Sequence, residues 1–423
     1  MVAQVYHLSN GTPVAIDVQP NTDVAAVGMF FDIGARFENK KNNGAAHFLE
    51  HMFFKGTGRR TAEQLSAEIE DDGLDIDAAT GHESTYYALN GLAADVPHMI
   101  DILGDMITGS DLPPAELKRE RGAILQEIAQ DEDDLQDLIN TMARAVSYPG
   151  QPFGAEILGP RKNVREMSRQ TLIDFKKQHY HAGNLIVSVA GNVDPDAVLA
   201  QLEQAIGRLP AKPKSTCAPA VYQPGHDHLD LPSGQFHLQM TFNSCAQSSP
   251  DYWPARLLAT IMGGGMSSRL FSEVRNKRGL VYDIHAMNSV SSDTGNLEIY
   301  AATDPKDVKT LVPVLCDEIK KLRNDGVTER ELARAKKQIL VGMAEMAEST
   351  ESRMHMMASH LSVFGRILSR DEIHRAVEGV SLQAVNDVAR KILSSQPSLA
   401  TIGPVRKAAS YENVLKLLEL PAP

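Results

Sequence analysis

Residues 111–128, DLPPAELKRERGAILQEI, have a counterpart 215 positions later in residues 326–343, GVTERELARAKKQILVGM. Two further pairs repeat at nearly the same offset. Residues 167–180, MSRQTLIDFKKQHY, match 380–393, VSLQAVNDVARKIL, and residues 185–193, LIVSVAGNV, match 398–405, SLATIGPV. Three segments at a near-constant spacing describe a diverged internal repeat. The stretch that separates the copies, LPAKPKSTCAPAVYQPGHDHLDLP (209–232), is proline-rich and without periodicity, as a linker is. We therefore expect a domain at 1–208, a linker at 209–232 and a homologous domain at 233–423.

Each half mixes strand and helix patterns. VYHLSNGTPVAIDVQ alternates on both sides of Asn10-Gly11, a strong hairpin signal. TAEQLSAEIEDDG reads as a helix with Thr61 at the N-cap, Gln64 completing a capping box and Gly73 at the stop. PPAELKRERGAILQEIAQDEDDLQDLINTMARAV, opened by Pro113-Pro114, reads as helical, and LIVSVAGNV as a buried strand. The expected fold class is α+β (mixed α/β): two homologous domains related by the repeat, each a mainly antiparallel sheet packed with helices.

Composition narrows the function. The 423 residues carry 42 Lys+Arg against 54 Asp+Glu, a net charge of -12. A nucleic-acid binder or a protein held on anionic lipid needs a basic face, so neither partner is expected. The three cysteines, Cys217, Cys245 and Cys316, are odd in number and scattered, which suits a reducing compartment. No apolar run of membrane-spanning length occurs, and the N-terminal residues lack a basic segment followed by an apolar one. The expectation is a cytoplasmic bacterial protein or a mature organellar matrix protein, not a secreted one.

Chemistry concentrates in HFLEH (47–51). On a helix, positions i and i+4 share a face, so His47 and His51 can aim both imidazoles at one metal. Glu50 stands at the edge of that face, within reach of a water rather than as a ligand. The order is the inverse of the H-E-x-x-H zinc helix. A catalytic zinc usually takes three protein ligands, and the helix ELKRERGAILQEIAQ offers Glu120 and Glu127, seven apart on one face. Glu127 lies among Ile124, Leu125 and Ile128, where a carboxylate is costly unless paired. Glu120 sits in the charged stretch KRER, the setting of a solvated ion-pair partner. The repeat supplies a control. Ala255, Leu258 and Ala259 fall opposite His47, Glu50 and His51, and Gly342 falls opposite Glu127. One copy keeps every candidate ligand and the other none, as expected of a functional set rather than of fold support.

These features, with AAHFLEHMFFKGTGRR and the downstream GGGMSSRLFSEVRNKRGLVYDIHA, give a resemblance over almost the full chain. The sequence resembles the pitrilysin and mitochondrial-processing-peptidase family of inverted-motif zinc metalloproteases, in its short two-domain branch. The resemblance implies His47, His51 and Glu127 as ligands of one Zn2+ per chain, Glu50 as the base that activates water, and Glu120 as a hydrogen-bond partner of a ligand histidine. It implies Arg275 and Tyr282 as the pair that holds substrate and helps stabilise the oxyanion. It implies a zinc-dependent endopeptidase acting on peptides or unfolded, presequence-like segments inside a closed chamber. It also implies a homodimer, with Arg275 and Tyr282 serving the partner's metal site. A non-catalytic structural or peptide-binding subunit of a complex is the alternative.

One departure bears on specificity. Where the family has Asn-Ala-aromatic-Thr on the substrate-pairing strand, this chain has Asp77-Ala78-Ala79-Thr80. Main-chain pairing with a substrate needs no particular side chain, but Asp77 in place of the Asn and Ala79 in place of the aromatic, on either side of the retained Ala78, alter the pocket beside it. The run DEDDLQD (131–137) reads as a solvated acidic helix face. Gly263-Gly264-Gly265 lacks the Lys-Ser/Thr of a phosphate loop. Trp253 reads as packing.

Overall fold

The computed structural model describes residues 3–404 and 410–421; Val405, the end of the third repeat segment, lies outside them. The chain forms two compact units. One comprises 1–129, 155–218 and 343–369; the other comprises 130–154, 219–342 and 370–423.

The first unit is built on six strands: β1 (Gln4–His7), β2 (Pro13–Val18), β3 (Val24–Phe31), β4 (Asp75–Thr80), β5 (Thr85–Leu92) and β6 (Leu185–Gly191). Their order is β1-β2-β6-β3-β5-β4, antiparallel except for the parallel pair β2–β6. The expected hairpin is present. Gly11 takes φ +88, which suits a residue without Cβ, and Leu8 N–H closes on Thr12 O at 3.0 Å. The capping box at Thr61 and Gln64 forms as expected at the start of Ala62–Asp71.

Alternation divides the buried strands between two faces. Val27, Met29, Phe31, Val187 and Val189 pack under helices that include Ala45–Phe53 and Val96–Gly109. Ala26, Phe30, Ala88, Ile186 and Ala190 turn the other way and meet Met354 and Met357. Those methionines belong to helix Thr350–Phe364, which comes from the C-terminal half of the sequence. Ser188 Oγ donates to Met354 O at 2.8 Å, Arg353 Nε to Asp17 Oδ2 at 2.6 Å, and Ser362 Oγ to Asp32 Oδ1 at 2.6 Å.

The second unit repeats the plan with β7 (His226–Leu229), β8 (Phe236–Asn243), β9 (Asp283–Val290), β10 (Gly295–Thr303) and β11 (Ser398–Ile402), ordered β7-β11-β8-β10-β9. Its one parallel pair, β7–β11, stands where β2–β6 stands in the first sheet. Helix Leu135–Ser147 lies on one face through Ile139 and Ala143, packed against Tyr300, Ala302, Ala400 and Ile402. That helix comes from the N-terminal half. The two sequence halves thus exchange one helix each.

Two local features differ from the sequence reading. β7 falls inside the stretch read as linker, because its four residues pair with β11. The long helical run is two helices, Pro114–Asp133 and Leu135–Ser147, broken where Asp134 leaves the helix and accepts from Gln136 N–H at 2.8 Å and Asp137 N–H at 3.3 Å. The acidic run therefore contains a helix N-cap, where a side-chain oxygen serves an otherwise unpaired N–H.

Candidate metal centre

The His47–His51 helix, Ala45–Phe53, starts without a side-chain cap of its own. Gly44 precedes it at φ 96, and a Cβ there would lie 2.6 Å from Leu158 O. Glu38 takes over the capping: its buried carboxylate accepts from Gly44 N–H at 2.8 Å, Ala46 N–H at 2.6 Å and Asn43 Nδ2 at 2.8 Å. Burial pushes its pKa up to about 7 against those hydrogen bonds. Negative charge at a helix N-terminus is favourable, so the helix is held in place by a group outside it.

His47 and His51 follow one turn apart, their rings 4.6 Å between centroids. Helix Pro114–Asp133 brings Glu127 Oε2 to 3.7 Å from His47 Nε2 and 3.4 Å from His51 Nε2. One ligand atom from each of the three lies within 4.8 Å of the other two. Glu120, two turns earlier, reaches His51 Nδ1 at 3.1 Å and Lys55 Nζ at 3.0 Å. A group that hydrogen-bonds the distal nitrogen of a ligand histidine fixes its ring and tautomer. Glu120 is the more buried of the two carboxylates and Glu127 the more open, the reverse of their sequence contexts. Lys55 and His51 compensate the buried Glu120, whereas Glu127 turns its carboxylate away from Ile124 and Ile128 toward the histidines.

The electrostatics follow from crowding. Burial, then His51, lowers His47 to about 4. Burial lowers His51 as well, but Glu127, Glu120 and Glu50 outweigh it and raise the net value. Burial raises Glu50, partly offset by a hydrogen bond from Thr80 Oγ1 to Glu50 Oε2. Glu127 Oε2, the oxygen that faces both Nε2 atoms, is buried with no hydrogen-bond partner of good geometry. Such atoms are normally paired. Two nitrogens and a carboxylate oxygen converging this way fit a zinc-type donor set, with Glu50 beside it and not in it.

Thr80 ends β4, an edge strand of the first sheet, so the strand that seats Glu50 also offers an open edge. Asp77 accepts from Tyr86 OH at 2.6 Å, Ala78 is half-buried and Ala79 is exposed. Asp77 also gathers with Glu351 and His355, whose candidate ligand atoms lie within the same 4.8 Å limit. The sequence reading gave no role to Thr80, Lys55, Glu351 or His355. The last two lie more than 270 positions from Asp77, and no local pattern links them.

Arg275 and Tyr282 belong to the second unit. Arg275 closes the helical turn Phe271–Asn276, exposed, with its guanidinium 4.8 Å from the Phe271 ring centroid. Tyr282 is 56% exposed, and its N–H donates to Ala302 O at 2.8 Å. The glycine run has a packing origin in part, since a Cβ on Gly263 would meet Ala286 N at 2.1 Å. Trp253 stacks edge-on with Tyr252 and under Arg256.

Comparison with known proteins identifies the family. Residues 13–161 match the family described as insulinase (peptidase family M16), and residues 166–339 match the peptidase M16 inactive domain. An uncharacterized zinc protease of Rickettsia felis is 35% identical over 398 residues, covering 94% of this chain and 96% of that one. One of Streptomyces coelicolor is 31% identical over 408 residues, covering 94% and 89%. Among solved structures, a Helicobacter pylori protease superposes with TM-score 0.88 at 19% identity, covering 95% of this chain and 99% of that one. A chain of Complex III2 from Candida albicans superposes with TM-score 0.85 at 17% identity, covering 98% and 99%. With both family regions matched in order, and relatives above 30% identity along nearly its whole length, the chain belongs to peptidase family M16.

Proposed function

We propose that this protein is a zinc-dependent endopeptidase for peptides and unfolded segments. The observation that carries the reading is the convergence of His47, His51 and Glu127 beside a buried Glu50. One zinc per chain, held by those three side chains, would supply a Lewis acid and an acidified water. Glu50 then takes the proton of the attacking water and delivers it to the leaving amine, a role that a raised carboxyl pKa favours. Thr80 holds Glu50 in position for both transfers. The edge of β4 pairs with the extended substrate through main-chain groups. Glu120 keeps the His51 ring oriented.

Arg275 and Tyr282 are assigned to substrate holding and oxyanion stabilisation, acting on the partner's site in a homodimer that encloses the peptide. Both are exposed in the second unit and neither is used in an ion pair among the described residues. The alternative, a structural subunit, is supported by fold likeness to the Complex III2 chain. The complete ligand set and seated Glu50 favour the enzyme.

The test is cleavage of a quenched basic peptide by the wild type, the chelated wild type and Glu50→Gln. Loss of about 10²–10⁴ in rate for Glu50→Gln, with zinc content unchanged, is expected. Equal cleavage by all three samples would sink the reading. Mixing Glu50→Gln with Arg275→Ala chains should restore one working site per mixed dimer; mixed dimers without recovery exclude action on the partner.

A further inference from the structure

The exchanged helices rest on two very different surfaces. In the first unit, helix Thr350–Phe364 covers an apolar face formed by Ala26, Phe30, Ala88 and Ile186. In the second, β8 and β10 turn Gln239, Thr241, Asn296 and Glu298 toward helix Leu135–Ser147, and apolar contact is confined to Ile139, Ala143 and their neighbours. Beside this contact lies a cavity of about 260 Å³, lined wholly by residues of the second unit. Gln239 and Thr241 are 3% and 2% exposed, yet Gln239 Oε1 and Thr241 Oγ1 have no hydrogen-bond partner. Burying polar groups without partners opposes folding, and here two such groups line one cavity.

The lining carries one fixed cation and one carboxylate. Arg144 comes from the helix, with its guanidinium 5.2 Å from the Phe153 ring centroid and no ion pair among the described residues. Glu298 comes from β10, beside Ser289 and Asn296. No ion pair joins Arg144 to Glu298. His285 stacks on Tyr300 at 5.0 Å and completes one wall. Arg144 acts on Glu298 through space, and Ser289 and Asn296 hydrogen-bond its carboxyl, but the two charges make no direct ion pair; a site that holds a positive and a negative group apart is matched by a ligand with both charges. An inorganic anion would leave Glu298 repelling it, and a simple cation would face Arg144. A guanidinium suits a carboxylate, which it grips through two parallel hydrogen bonds. A carboxylate and an amide oxygen suit an ammonium group.

We propose that this cavity binds a free α-amino acid, with the ligand carboxylate on Arg144 and its ammonium on Glu298 and Gln239 Oε1. The site lies apart from His47, His51, Glu127 and Glu50, which belong to the first unit, and it does not rest on the peptidase reading.

The test is titration calorimetry on the zinc-loaded full chain with each proteinogenic amino acid at millimolar concentration. The best ligand is then compared with its des-amino and decarboxylated analogues. At least one amino acid should bind one per chain. Each analogue, and each of Arg144→Met and Glu298→Gln, should bind at least about tenfold more weakly. Glu50→Gln should bind as the wild type does, so failure here and failure of the peptidase assignment are told apart. Absence of saturable binding by every amino acid overturns the proposal, as does equal binding of the analogues or undiminished binding by both variants. If either variant loses its native circular dichroism, the analogue comparison on the wild type decides alone.

Discussion

Glu120 shows how one carboxylate tunes another group's chemistry. It is buried between His51 Nδ1 and Lys55 Nζ, so its charge is spent on orientation. Glu120→Gln keeps the shape but weakens both contacts, and metal affinity should fall about 10–100-fold by chelator competition. Unchanged affinity would reduce Glu120 to a structural residue. A second residue-scale prediction concerns acid. Burial, then His181 and Lys212, lowers His179 to about 4. Its folded-state value lies below the unfolded one near 6.5, so the folded form prefers neutral imidazole. Its stabilising share is complete above pH 6.5 and is lost as pH falls toward 4, by up to about 3 kcal/mol. His179→Gln should flatten that part of the denaturation profile between pH 7 and 5; an unchanged slope refutes the assignment. At this scale the sequence was legible wherever function follows a helical repeat. His47, Glu50 and His51 are read from i, i+3 and i+4. Thr80 and Lys55 are not, because Thr80 meets Glu50 across a sheet edge and Lys55 meets Glu120 between helices. The relative burial of Glu120 and Glu127 was misjudged because neighbouring residue types do not say which way a side chain turns.

Among the elements, helix Thr350–Phe364 carries much of the packing on one face of the first sheet. Met354 and Met357 are fully buried there. Met354→Ala should cost about 2–5 kcal/mol, read from urea denaturation. Met346, half-exposed before the helix, should tolerate the same change within about 0.5 kcal/mol. A small loss at Met354 would mean the helix is not part of the first unit's cooperative core. The strands were well announced by the Asn10-Gly11 turn and by the continuous apolar run of β6. This helix was not, since TESRMHMMASHLSVF shows no clean apolar stripe. Its polar residues also meet the sheet, as Arg353 does Asp17 of β2, so the face it buries is not marked by apolar residues alone.

For the whole molecule, the repeat in the sequence announced two similar units but not the exchange of helices. A constant offset says which segments are alike, and nothing about which copy each packs against. Each half of the sequence is therefore incomplete as a folding unit. Residues 1–218 expressed alone should expose the face that Met354 and Met357 cover and should aggregate. Co-expressed with 219–423, the fragment should copurify with it and regain zinc binding. A soluble, zinc-binding 1–218 fragment would contradict the exchange. The same feature sets a clock on synthesis. β6, the last strand of the first sheet, is complete at Gly191, but the helix that covers the sheet's second face ends at Phe364. At about 5–20 residues per second, a ribosome needs roughly 10–35 s to travel between them. During that interval a finished sheet stands with one greasy side bare, so the nascent chain is a natural client for a holding chaperone.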